Sequence, residues 1–149
     1  MLQQLLIGTL IISVTIAIQV LFISIVITVL NRLGPWLAQP PSMWKTIVAL
    51  ISVVLWLVIG ISVSAWIWAA VFLLLDTFDT IEPALYFSIV TFTTLGYGDI
   101  TLDSTWRLLA GFTAVNGLII FGLNTAFLVE FISRLRSAQT QQTQGIKNE

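Results

Sequence analysis

Three stretches of this chain, residues 5–30, 46–75 and 108–129, carry no charged residue and are overwhelmingly apolar. Crossing the hydrocarbon core of a bilayer takes about 20 apolar residues in a helix, so each is long enough to span it. The first two exceed that need, and helices of that length tilt or protrude. A fourth apolar stretch, residues 83–94, is only about half a bilayer long and lies between spans two and three. Its length fits a buried or re-entrant helix. Pro83 suits the first turn, where no backbone N–H is needed, and the carboxylates Asp79 and Glu82 suit the partially positive N-terminal end. The pattern therefore predicts an all-α membrane protein: three transmembrane helices plus a short helix that enters from one side and points its partially negative C-terminus toward the membrane centre.

Basic residues orient the spans. Arg32 and Lys45 lie between spans one and two, and Arg134 and Arg136 follow span three. The connection at 76–106 has no Lys or Arg but carries Asp76, Asp79, Glu82, Asp99 and Asp103. The excess of basic residues on cytoplasmic loops places the 32–45 loop and the C-terminus inside. The acidic connection and the N-terminus are then outside, where the carboxylates concentrate cations. Arg107 is expected to snorkel to the headgroups, and Trp36, Trp44 and Trp106 to anchor at the interfaces. A cleaved signal peptide fits the first stretch poorly, since no basic segment precedes it and no small-residue cleavage site follows. Gly34, Pro35, Pro40 and Pro41 are expected to prevent one long helix through residues 31–45. The polar tail after Arg136 is expected to build no core and to be too short for a ligand-binding module.

Composition sharpens this picture mainly by exclusion. Charged residues make up 9% of the 149 positions, against about 25% in soluble domains. The net charge of −1 offers no basic patch for nucleic acid. With no Cys and no His, there is no disulfide, no thiolate nucleophile, no imidazole base and no zinc site built on those ligands. The spans hold no ionisable residue except Glu130 at one end, so an enzyme with its acid, base or nucleophile in the membrane is not expected. No organic cofactor is called for.

The short apolar stretch runs into Thr93-Thr94-Leu95-Gly96-Tyr97-Gly98-Asp99. A potassium ion sheds water only if oxygens replace it at similar distance and field. Successive backbone carbonyls do so when backbone handedness alternates, which glycine tolerates. Gly96 and Gly98 supply left-handed positions. The carbonyls of Thr94, Leu95, Gly96 and Tyr97 would then line a pore, with the Thr94 hydroxyl as an innermost ring. Leu95 is expected to pack outward against the short helix. One chain gives a quarter of such a cage, so four chains are needed.

On Thr94-Leu95-Gly96-Tyr97-Gly98 and its setting, the chain resembles the potassium channel pore-domain family, of the bacterial two-transmembrane pore-loop type with an extra N-terminal helix. The resemblance covers residues 46–133 as the pore module; residues 1–45 form the extra helix and its cytoplasmic loop, and 134–149 a short polar cytoplasmic tail. It implies a passive, potassium-selective homotetramer with potassium ions in the filter, embedded in the lipid of a cell membrane, as in a prokaryotic inner membrane. A weakly selective cation channel and a subunit of a mixed channel are the alternatives.

The same resemblance implies supporting roles. Tyr86 and Phe87 stand where many members carry two Trp, and Phe87 reads as plain packing. Thr91 matches a residue that bonds the filter Tyr, here Tyr97. Val90 stands where some members place a carboxylate, which leaves Asp99 to seek another partner, with the Tyr86 hydroxyl as the candidate. Leu118, Phe121 and Thr125 match pore-facing positions of span three, and Gly117 matches a hinge glycine, although close helix packing explains a membrane glycine equally well. Asn116 and Asn124 need partners in hydrocarbon. For Asn124, cavity water beside Thr125 and a bond to a neighbouring chain are both open. Span one carries no gating charge, so steep voltage dependence is not expected.

Overall fold

A computed structural model describes residues 1–38 and 43–147. Its elements are four helices: α1 (Leu2–Ala38), α2 (Met43–Leu74), α3 (Ile81–Phe92) and α4 (Arg107–Lys147). No strand occurs among the described residues. Helices α1, α2 and α4 each hold a span-length apolar segment, Leu2–Arg32, Trp44–Leu74 and Arg107–Arg134, and α3 is the short apolar helix between the last two. The protein is an all-α, multi-pass membrane protein, as the hydrophobic pattern predicts.

Two boundaries depart from the sequence expectation. Helix α1 continues through Gly34 and Pro35 to Ala38. A single proline removes one hydrogen bond from a helix, which a long apolar helix survives. Pro40 and Pro41 lie outside the described residues, as do the side chains of Trp36 and Arg136. Helix α4 likewise carries on past Arg134 into the polar tail, to Lys147.

Helix α1 lies against both α2 and α4, and α3 sits between α2 and α4. Two apolar cores follow. One gathers Trp68, Phe72, Phe87, Phe92, Leu102, Leu109 and Ile120, where α2, α3, α4 and the filter-side loop meet. The other gathers Ile23, Val26, Val53, Leu57 and Phe131 at the opposite end, where α1 packs on α2 and α4. The side-chain amide of Gln4 donates to the main-chain carbonyl of Thr105, so the start of α1 and the filter-side loop share one end of the molecule. That is the relation the basic-residue asymmetry requires of an N-terminus and a loop on the same side of the membrane.

Polar residues on α1 fall into two classes. The hydroxyls of Ser13, Ser24 and Thr28 donate to carbonyls one turn back on the same helix, at 2.8–2.9 Å, and are exposed. Thr15 and Gln19 are fully buried. The apolar composition of the span hides this division, because threonine occurs in both classes and only packing separates them.

Candidate functional site

Helix α3 begins after Thr80, whose backbone is extended (φ −137°, ψ 159°), and Glu82 and Pro83 occupy its first turn. Both fit there for the reasons above: a carboxylate near the positive end and a residue that needs no N–H partner. Helix α3 runs 81–92 instead of 83–94. It stops because Thr94 turns left-handed, φ +59°, a conformation no helix residue adopts. Three carbonyls of the last turn of α3 accept hydrogen bonds from the residues that follow. Thr93 N–H donates to the Ile89 carbonyl at 3.0 Å, Thr94 N–H to Thr91 at 2.9 Å, and the N–H groups of Leu95 and Gly96 both donate to Val90 at 3.0 and 3.2 Å. The Thr93 hydroxyl also bonds the Ile89 carbonyl, at 2.8 Å. These bonds consume donors at the start of the loop and fold it back over the end of α3.

The loop itself alternates in hand. Thr94, Gly96 and Gly98 have φ of +59°, +52° and +80°, while Leu95 and Tyr97 between them do not enter the left-handed region. Gly96 and Gly98 are where the sequence places left-handed residues. Thr94 is a third that the sequence does not announce, because a β-branched residue at positive φ is strained. That strain is held in place by the bonds on either side of it.

The supporting residues divide as their chemistry suggests. The Tyr86 hydroxyl donates to an Asp99 carboxylate oxygen at 2.7 Å, which gives Asp99 the partner that Val90 does not provide. That hydrogen bond holds the Asp99 carboxyl below its ordinary value and, from the other side, raises the Tyr86 hydroxyl above its own. Phe87 is buried in an aromatic cluster, edge-on to Phe72 with ring centroids 5.2 Å apart and tilted against Phe78 at 5.5 Å. It packs and donates nothing. No hydrogen bond joins Thr91 to the Tyr97 hydroxyl within the chain; Tyr97 is 68% exposed. Leu95, expected to pack against the short helix, is 55% exposed in the single chain. Beside them opens a cavity of about 470 Å³ lined by Phe87, Thr91, Gly96, Gly98 and Arg107, among others. Arg107 thus borders the space beside the 94–98 loop.

Helix α4 presents two faces. Leu118, Phe121 and Thr125 are exposed and, at 3.6 residues per turn, fall within about 60° of one another. The Phe121 ring sits against Phe92 at the end of α3, centroids 6.3 Å apart. The opposite face, with Thr113, Asn116, Ile120 and Asn124, is buried. Asn124 falls on this buried face and not with the exposed group: it is 5% exposed, and its Oδ1 accepts from the Gln19 amide of α1 at 2.7 Å. Asn116 donates to the Thr15 hydroxyl at 2.6 Å in the same seam. Gly117 is also on the buried face, and a Cβ there would collide with the Phe92 main chain. It is the seat on which the end of α3 rests. Sequence reasoning singles out the two asparagines, places Thr15 and Gln19 only among the polar residues of span one that suit helix packing, and misses Gly60, whose missing side chain makes room for the Gln19 amide. The one signal for Gln19 is an amide in an otherwise uncharged span.

At the far end of α4, Arg134 pairs with Glu130 at 2.7 Å one turn back, both exposed. Among the described residues, no cluster of His, Cys, Asp or Glu is arranged to hold a metal ion.

A family model described as ion channel matches residues 53–134, more than half of the chain. The chain belongs to this ion channel family. No curated protein matches it, and no solved structure does. The match takes in most of α2, all of α3 and the 94–98 loop, and the membrane-spanning part of α4. Helix α1 lies wholly outside it.

Proposed function

We propose that this ion channel is selective for potassium and works as a homotetramer with one Thr94–Gly98 segment per chain around a common axis. The observation that carries the reading is the alternation of backbone hand at Thr94, Gly96 and Gly98, immediately after a short helix aimed into the membrane. Such alternation turns successive carbonyls the same way, and stacked carbonyls replace the hydration shell of a potassium ion. The carbonyls of Thr94, Leu95, Gly96 and Tyr97 and the Thr94 hydroxyl are the coordinating groups in this reading, with potassium as cargo. The C-terminal end of α3 adds favourable negative potential for a cation. Leu118, Phe121 and Thr125 line the inner cavity, and the outer carboxylates draw cations to the mouth.

Tetramer formation is supported by what one chain leaves undone. Irregular backbone at membrane depth is tolerated only when buried in protein or lining a water-filled path. Here Leu95 and Tyr97 are exposed beside an open cavity at Thr91 and Phe87. A neighbouring chain that brings its own Tyr97 there fills the space, and Thr91 then has its hydroxyl partner. The setting is a cell membrane, as in a prokaryotic inner membrane, with the acidic loop outside. Gating is not steeply voltage-dependent, since α1 carries no charge across the membrane core. Reconstitution of the purified protein into liposomes tests the reading: potassium flux far above sodium flux supports it, and equal fluxes refute it in favour of a weakly selective cation channel.

A further inference from the structure

Helix α1 is outside the family match, yet it makes the most elaborate buried polar contacts in the molecule. The Gln19 side chain is fully buried. Its amide lies against Gly60 of α2, where a Cβ would overlap it, and donates to Asn124 of α4 at 2.7 Å. One turn earlier, Thr15 accepts from Asn116 at 2.6 Å, while its own hydroxyl proton is directed to the carbonyls of Ile11 and Ile12 at 2.9 and 3.0 Å. Asn116 and Asn124 bracket Gly117 on the same buried face of α4. Gly117 in turn is pressed to the Phe92 main chain, two residues before the filter segment begins. A rotation of α4 about its axis therefore disturbs both contacts at once: the amide seam with α1 and the seat of α3.

We propose that Thr15 and Gln19 are positioning residues of the channel: by holding Asn116 and Asn124 they fix the rotation of α4 and keep Gly117 seated beneath the inner end of the filter. A simple brace between lipid-embedded helices needs no amides, since small and apolar residues pack helices in a bilayer. A paired amide instead specifies register and rotation, because only one setting satisfies it. Changes in α1 are thereby passed to the pore through α4.

The test uses the assembled full-length channel with two readouts. In planar bilayers, Gln19→Leu shifts the open-to-closed ratio at least about threefold per altered chain, the weight of an average interhelical hydrogen bond in a membrane. Adding Asn124→Leu produces no further shift, and the exchange Gln19→Asn with Asn124→Gln returns the ratio toward wild type. The chain has no Cys, so a spin label at Val129→Cys reports the setting of α4 as distances across the assembly, without any current. Those distances shift in Gln19→Leu and return in the exchange. A ratio and distances that stay at wild-type values while thermal stability falls would show a plain brace and overturn the proposal. Should Gln19→Leu fail to assemble, Thr15→Val keeps the shape and removes the hydroxyl that accepts from Asn116, along with its bonds one turn back on α1; unchanged distances there also overturn it. Absence of current in the wild type bears on conduction alone, and the distance measurement still decides the role of α1.

Discussion

The 94–98 loop and the α1–α4 seam are built in opposite ways. In the loop, backbone dihedrals and main-chain hydrogen bonds set the geometry, while side chains such as Tyr97 and Leu95 stay open to the surroundings. In the seam, regular helices supply no information and four buried side chains set the geometry. The first leaves side chains exposed that the proposed assembly would cover; the second is already buried within one chain. This difference separates what the proposed assembly would provide from what the fold already holds. The loop can carry its strain at Thr94 only where neighbours and the end of α3 over-determine it. The seam places α4, and with it the surface on which α3 rests, before any second chain arrives.

The largest effect is expected at the loop. Gly96→Ala puts a Cβ on a residue at φ +52°, and selective flux from liposomes is lost altogether, although nothing within 4 Å of that Cβ in the chain obstructs it. The cause is backbone hand, not space. Retention of wild-type selectivity would mean that this loop is not the filter.

Next comes the junction of the two regions. Gly117→Ala drives a methyl into the Phe92 main chain, and flux falls at least about tenfold, in line with the overpacking cost of roughly 1–3 kcal/mol. Gly111→Ala, on the same helix with open space around it, leaves flux near wild type. If the two variants behave alike, Gly117 acts through helix flexibility and not as a seat for α3.

A smaller effect belongs to assembly. Thr91→Val removes one hydroxyl from the space where a neighbour's Tyr97 is expected, and the potassium-to-sodium ratio drops several-fold for a lost hydrogen bond of about 1 kcal/mol. A tetramer structure with the Thr91 and Tyr97 oxygens beyond about 3.5 Å and no bridging water would break that assignment.

The smallest effect is at the exposed Tyr86–Asp99 pair. Asp99 is depressed below 3.8 by the Tyr86 hydrogen bond, so its contribution is fully present above that value. It is lost only as pH falls through the lower value of the folded channel. Tyr86→Phe moves the Asp99 titration back up, read as a shift of its carboxyl resonance with pH; an unmoved titration would show that the bond does not form in the membrane.

The sequence by itself settled whatever depends on local chemistry. Span lengths follow from uninterrupted apolar runs, and the short helix from a run half as long with Pro83 and Glu82 at its start. The left-handed sites at 96 and 98 follow from glycine; the Tyr86–Asp99 bond is expected only through the family resemblance, in which some members place a carboxylate at the position of Val90. Tertiary structure decided whatever depends on which side of a uniformly apolar helix faces which neighbour. Thr15 and Ser13 look alike in a span, yet one is buried and the other bonds its own helix in the open. Asn124 suits cavity water until α1 is found on that face, and Gly117 suits a hinge until Phe92 is found against it. A soluble helix is oriented by its one apolar stripe, but in a membrane that stripe vanishes, because lipid and protein interior are equally apolar. Rotation is then set by contacts between residues a hundred positions apart, and no local pattern records them.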